Sequence, residues 1–209
     1  MYNPSHFAED RPEVLRSFLE ANPFAILVTS GPEGPEASHV PTVLHPEAGL
    51  LRCHLARANG HWKTLNGARV LAIFQGAQHY VTPSWYPSKA EHGKVVPTWN
   101  YLAVHVRGRV RIFEDRDELL AHVAVLTDRN EREFAKPWSV DDAPRDYVEG
   151  LSRAIVGVEI AIESMEGKWK VSQNRTEADR AGVVDGLRGL GLNTATDMAE
   201  FVERQGFAK

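Results

Sequence analysis

Residues 53–65 read CHLARANGHWKTL. Between residues 57 and 63 they bring together an arginine (Arg57), a short amide (Asn59), a glycine (Gly60) and a lysine (Lys63), where an apolar-alternating run gives way to a helical pattern. That is the composition of an anion site. The first turn of a helix presents unpaired N–H groups and a partial positive charge, so a phosphate can sit there. Arg57 and Lys63 would add charge-assisted hydrogen bonds, and Gly60 lets the backbone approach closely. The same spacing also fits an ordinary helix capped by Asn59 with a solvated arginine before it.

Other segments carry chemistry less directly. Residues 80–101, YVTPSWYPSKAEHGKVVPTWNY, set Trp85, Tyr86, Trp99 and Tyr101 among prolines, which suits a ligand wall, a subunit interface or an ordered cover for the core. Pro41 cannot donate to a ladder, so its strand is an edge or has an unpaired side. Arg107, Arg109 and Arg111 share one strand face, a candidate anion stripe or a solvated surface. The nine histidines show no metal-binding spacing such as HxxxH or HExxH. No GxSxG elbow, Cys/His pair or carboxylate pair stands out. A bound cofactor would therefore have to carry any chemistry.

Positioning these residues requires many strands and few helices. A helix is expected after Asp10, with Val14, Leu15, Phe18 and Leu19 on one face, ending at Asn22-Pro23. Strands are expected over 24–30, 37–45, 49–57, 69–76 and 78–83, with a turn at 31–36. In 37–45, Ser38, Val40, Thr42 and Leu44 oppose His39, Pro41 and Val43. A short helix is expected over 59–66. Residues 101–113 alternate longest, with Leu102, Val104, Val106, Val110 and Ile112 on the buried face. A helix over 116–130 follows, and then a hairpin with its turn near MEGK at 165–168. Two helices close the chain, one from Thr176 with Asp179 as in a capping box, the other from near Thr196 to Gly206. Strands in hairpin order predict a closed or nearly closed antiparallel barrel in a mainly β (α+β) chain.

The 209 residues, 43% hydrophobic and 25% charged, suit a globular core. A net charge of -4 argues against broad nucleic-acid affinity. The single cysteine, Cys53, provides neither a disulfide nor a zinc cluster. No apolar run reaches membrane-spanning length and the N-terminus has no secretory pattern, so a cytoplasmic location is expected.

Six segments in order are MYNPSHF (1–7), SHVPTVL (38–44), HLARANGHW (54–62), YVTPSWYPSK (80–89), VPTWNY (96–101) and KVSQNR (170–175). Together they make the chain resemble the PaiB family of FMN-binding negative transcriptional regulators. The resemblance implies an FMN-binding split β-barrel over residues 1–175, with 176–209 a helical extension on the same domain, and a homodimer with FMN at its interface. It places His39, Val40, Pro41 and Thr42 along the flavin ring, and His54, Leu55, Arg57, Ala58 and Asn59 by the ribityl chain and phosphate. Trp62 supports the turn, and Trp99 and Asn100 reach over from the partner subunit. The family usually has proline where this chain has Gly60. Two functions follow: a repressor, or a flavin-dependent oxidoreductase using FMN with a nicotinamide reductant. The chain shows no helix-turn-helix, so DNA binding is unsupported by motif. Candidate DNA surfaces are the Arg107–Arg111 stripe and the terminal helices with Arg175, Arg180, Arg188 and Arg204.

Overall fold

The computed structural model describes residues 1–31 and 34–205. After a two-residue strand β1 (Ala8–Glu9), helix α1 (Pro12–Ala21) starts at a proline that needs no N–H partner in the first turn, and it buries Leu15, Phe18 and Leu19. Strand β2 (Phe24–Gly31) alternates, burying Ala25, Leu27 and Thr29. Strand β3 (Gly34–Pro41) pairs with it along its whole length, from Phe24↔Pro41 to Gly31↔Gly34. The chain continues through Thr42 into the three-residue β4 (Val43–His45), then β5 (Leu50–Ala56), which buries Leu51, Cys53 and Leu55. Part of the expected turn, residues 32 and 33, lies outside the described residues, as does the expected helix end at Gly206.

Helix α2 (Trp62–Leu65) is short, and β6 (Arg69–Val81) follows. Helix α3 (Ser88–His92) leads to the 16-residue β7 (Thr98–Phe113). There Val104, Val106 and Val110 are buried while Arg107, Arg109 and Arg111 face outward. Helices α4 (Arg116–Glu131) and α5 (Arg145–Ser152) precede the 16-residue β8 (Ile155–Lys170). The chain ends in α6 (Glu177–Gly189) and α7 (Asn193–Gln205). Thr176 caps α6, its hydroxyl accepting from the Asp179 N–H at 3.2 Å.

Three expectations are corrected. Residues 69–83 hold one strand where two were expected, with Gly76 inside β6. The hairpin expected at 165–168 is uninterrupted strand. Gly167 is there for close approach: a Cβ would stand 2.5 Å from Leu15 Cδ2 and 2.8 Å from the Glu9 carbonyl, because β1 pairs here as Glu9↔Gly167. Third, the sheet is not a closed barrel. Its strand order is β3-β2-β6-β7-β8-β5-β4, with β1 beside β8. The end strands, β3 and β4, are neighbours in sequence, yet no ladder joins them among the described residues. Pro41 has no N–H and β4 is three residues long, so little backbone remains for a closing ladder. The fold is α+β around one large open antiparallel sheet. Helical residues, single 3-10 turns included, slightly outnumber strand residues, so it is not mainly β.

Packing divides the chain into two units. One holds Met1–Leu15, Gln75–Val104 and the described residues from Glu166 on; the other holds Arg16–Phe74 and His105–Met165. In the first, Trp85 lies on α6 at Gly182 and Gly186. A Cβ at Gly186 would stand 2.3 Å from Cδ2 of the Trp85 indole, and one at Gly182 would strike the Trp85 carbonyl. In the second, the inward faces of β2 and β5 contribute Leu27, Leu51 and Cys53 to the core, and Phe74, Val158 and Ile160 join them.

Candidate functional site

The turn after β5 is tightly bonded. The Arg57 N–H donates to the Ala154 carbonyl at 2.7 Å, and the Asn59 N–H donates to the Ala56 carbonyl at 2.8 Å. The Arg57 guanidinium donates to Glu114 Oε2 (2.5 Å), the Arg153 carbonyl (2.9 Å) and the Ile155 carbonyl (3.2 Å). It also lies 5.9 Å from the Trp62 ring, whose Nε1 donates to the Arg57 carbonyl at 2.9 Å. A guanidinium has five N–H bonds. Three are used here, and two remain for a further acceptor.

The helix expected over 59–66 is the four-residue α2 with His61 at its N-cap. Asn59 instead closes a turn, its Oδ1 accepting from the His61 N–H at 3.1 Å. The reason is that His61 is drawn inward. It is fully buried, with Nε2 2.7 Å from Thr29 Oγ1 and Nδ1 2.8 Å from Ser38 Oγ. The Asn59 amide also donates to Ser38 Oγ at 3.1 Å. A neutral imidazole donates from one nitrogen and accepts at the other, and hydroxyls serve either role. This network ties the turn to β2 and β3. His61, Thr29 and Ser38 were not among the sequence-derived site residues. The one available signal was Ser38 on the buried side of an alternating strand, since a buried hydroxyl needs a partner.

Just past β3, the Thr42 N–H donates to the Pro23 carbonyl at 2.8 Å, and its hydroxyl donates to the same atom at 2.9 Å. That fixes the phase of the ladder: the peptide groups of residues 38, 40 and 42 point toward β2, and those of 37, 39 and 41 point away. Because β3 ends the sheet, the N–H and carbonyl of His39 and the carbonyl of Pro41 lie on its unpaired edge. Pro41 thus marks an edge strand, as its residue type suggested. Val40 and Thr42 are buried, and the exposed His39 ring stacks 6.2 Å from Phe24. Leu55 is buried and Ala58 exposed.

His54 points outward from β5 to α4, where its Nδ1 shares a 3.2 Å hydrogen bond with His122 Nε2. His122 is buried, its Nδ1 has no partner, and burial together with the charges of His54, Arg52 and His45 pushes its pKa down to about 4. Alongside, Arg52 bridges Glu118 (2.9 Å) and Glu159 (2.6 Å), and Arg111 meets the same two carboxylates. The Arg111 and Arg52 guanidiniums hold the Glu159 carboxyl below its usual range. Arg109 donates to the Gly67 carbonyl. All three arginines of the stripe, Arg107 included, are therefore engaged within the protein. At the terminal helices Arg188 pairs with Glu203 and Arg204 with Glu200.

Trp99 and Asn100 belong to the first unit. Trp99 is half exposed, its Nε1 donating to Gln78 Oε1 at 2.6 Å. Asn100 is fully buried and its amide group bonds Ser172 Oγ. In the second unit a recess of about 610 Å³ is lined by Val28, Leu71, Ser30, Arg69, Arg107 and Glu163 among others. Beside it, Ile26↔Ile73 and Val28↔Leu71 are paired across β2 and β6 and only half buried, and Phe24 on the same face is 62% exposed.

Residues 1–164 match the family model described as "Putative FMN-binding domain". The chain belongs to this family. A flavin is the class of cofactor that membership brings. The chain is 35% identical to an uncharacterized protein of Emericella nidulans, over 100% of this chain and 99% of the relative. It is 32% identical to the Protease synthase and sporulation protein PAI 2 of Bacillus subtilis, over 97% of each. Among solved structures it shares its fold with the FAD and heme binding protein of Mycobacterium smegmatis (TM-score 0.59, 17% identity, 78% of this chain and 73% of that one). It does so also with the flavocytochrome Anf3 of Azotobacter vinelandii (TM-score 0.57, 14% identity, 84% and 75%). No helix among the described residues is long and apolar enough to cross a membrane.

Proposed function

We propose that this member of the family is a flavin-dependent oxidoreductase that binds FMN, takes electrons from a nicotinamide cofactor and works as a homodimer. The observation that carries the reading is the unpaired edge of β3. The pyrimidine edge of a flavin offers two carbonyls flanking one N–H. The His39 N–H and carbonyl supply a donor and an acceptor for it, and Pro41 withholds the next donor, so another group must meet the second carbonyl. His39, Val40, Pro41 and Thr42 then line the ring. His54, Leu55 and Ala58 flank the ribityl chain. The two spare N–H bonds of Arg57 reach the phosphate, with Asn59 beside it and Trp62 holding the turn. When bound, the flavin supplies hydride and electron transfer. The apolar stripe of Phe24, Ile26, Val28, Leu71 and Ile73 suits a second copy, which would also bring its own Trp99. The second copy's Asn100, its amide engaged by Ser172, would come with that Trp99. The names of the two structural neighbours, an FAD and heme binding protein and a flavocytochrome, favour redox chemistry.

The experiment is a visible spectrum and fluorescence titration with FMN, followed by NADH or NADPH oxidation with oxygen or a quinone as acceptor. Quenching at micromolar protein and measurable turnover are expected. Absence of binding overturns the cofactor reading, and binding without turnover overturns the oxidoreductase reading. A second reading, a PaiB-type negative regulator, draws on the full-length likeness to the PAI 2 protein. It predicts a promoter shift that survives raised salt, since nonspecific binding collapses there.

A further inference from the structure

The segment KVSQNR, residues 170–175, has no role in the flavin site just described. It leaves β8 through a bend with an unusual centre. Ser172 has φ 62° although it is not glycine, a left-handed conformation that costs about 1 kcal/mol. The surroundings hold it there. The buried Asn100 donates from Nδ2 to Ser172 Oγ at 2.9 Å. The Arg175 N–H donates to the Ser172 carbonyl at 3.0 Å. The Gln173 side chain accepts from the Val171 N–H at 2.8 Å and donates to the Trp169 carbonyl at 2.5 Å.

The bend brings positive charge together. Lys168 and Lys170 are two apart on β8 and share a face. Lys168 is buried, its Nζ donating to the Tyr2 carbonyl at 2.7 Å and lying 5.6 Å from the Tyr101 ring centre. Lys170 Nζ donates to Thr98 Oγ1 at 2.5 Å, which leaves two of its N–H bonds unused. Arg175 lies over the Tyr86 ring, 4.8 Å from its centre, and its guanidinium donates to no acceptor among the described residues. Lys170 ends β8 and Arg175 closes the bend that follows, and burial with the charges of Lys168 and Arg175 lowers the Lys170 pKa. No carboxylate forms an ion pair with any of them among the described residues. Nearby carboxylates are engaged elsewhere: Glu166 by the N-terminal ammonium, Glu9 by Arg11, and Asp179 by Ser88.

One polar atom beside the cluster is also unsatisfied. Tyr86 is 2% exposed and its hydroxyl is buried with no hydrogen-bond partner. Burial pushes this phenol up, the Arg175 guanidinium opposes the shift, and the Asp179 charge adds to it. Lys170 and Arg175 are half-buried with donors to spare, and a buried hydroxyl without a partner is costly, so the cluster is short of an acceptor. We propose that Lys170, Arg175 and the Tyr86 hydroxyl bind a phosphate group, with Lys168 adding charge. A tetrahedral dianion offers enough acceptors for the ammonium, the guanidinium fork and the hydroxyl at once. The site does not depend on the flavin reading, because inorganic phosphate alone is a sufficient ligand.

The test is thermal unfolding of the full chain in millimolar inorganic phosphate, against chloride at matched ionic strength. A saturable rise in Tm with phosphate alone is expected. Lys170→Met and Arg175→Met should weaken the phosphate response at least about tenfold. Tyr86→Phe is the sharper variant: it removes a hydroxyl that no protein group uses, so it should leave the phosphate-free Tm unchanged or higher while weakening the phosphate response. A purely structural tyrosine would not give that split. A wild-type response to phosphate no larger than to chloride overturns the proposal, as does a Tyr86→Phe response equal to wild type. Phosphate binding indifferent to FMN supports a separate site. Competition between phosphate and FMN but not riboflavin overturns it, because the FMN phosphate would then occupy these residues instead of meeting Arg57.

Discussion

Acidifying the protein from pH 7.5 to pH 5 should lower its stability by roughly 2 kcal/mol through one side chain, His122. Burial together with the charges of His54, Arg52 and His45 takes its pKa from 6.5 down to about 4, and its Nδ1 has no partner to donate to. Because the folded pKa lies below the unfolded one, the unfolded chain takes up the proton first as pH falls. Above pH 7 both states are neutral and nothing is lost. Between 6.5 and about 4 the unfolded state gains a proton that the folded state refuses, and stability declines. The loss levels off near 3 kcal/mol at about pH 4 and below, a sizeable share of the roughly 5–15 kcal/mol that holds a typical domain together. The assay is urea unfolding at pH 7.5, 6 and 5 for the wild type and His122→Leu. The variant should be flatter over that range by about 2 kcal/mol, keeping only the smaller slope from His54 and His45, whose pKa values are also lowered, chiefly by burial. Parallel wild-type and variant curves would refute the reasoning, because they would mean that His122 takes its proton as readily folded as unfolded.

Glu159→Gln should cost about 1–3 kcal/mol at pH 7, and the gap to wild type should narrow as pH falls through the depressed carboxyl pKa, where wild type loses the same interaction with Arg111 and Arg52. Denaturant midpoints at neutral and acid pH check it. Gly182→Ala reverses an ordinary expectation: helix propensity favours alanine by about 1 kcal/mol, but collision with the Trp85 carbonyl should leave the variant about 1–2 kcal/mol less stable in a denaturant titration. Arg57→Ala should weaken FMN about tenfold or more, about 1.4 kcal/mol, and leave riboflavin binding unchanged in fluorescence titrations. An equal loss for both ligands would show that the arginine only holds the turn.

Local patterns in the sequence read well wherever the cause was local. The alternation of Ser38, His39 and Val40, the Thr176–Asp179 cap and the edge position of Pro41 each depend on neighbours a few residues away. The misreadings share a different cause. Gly167 looks like a turn until Leu15 and Glu9 arrive from the far end of the chain to need its space. Asn59 looks like a helix cap until His61 is drawn in by Thr29 and Ser38. Arg57 looks free in sequence because Glu114 and the carbonyls that engage it lie far along the chain. The barrel expectation failed at its seam, since hairpin order predicts which strands neighbour each other but not whether the first and last ones bond.

The position of β8 in the sheet has a consequence for how the chain is made. β5 pairs on one side with the three-residue β4, and on the other with β8, Ala56 meeting Ile155. During synthesis β5 leaves the ribosome about a hundred residues before that partner exists. At roughly 5–20 residues per second the delay is on the order of 5–20 s. Through it one edge of an apolar strand carrying Leu51, Cys53 and Leu55 stays open to other chains. Nascent chains stalled before residue 155 are therefore the form of this protein most exposed to aggregation, and the one with most use for a chaperone.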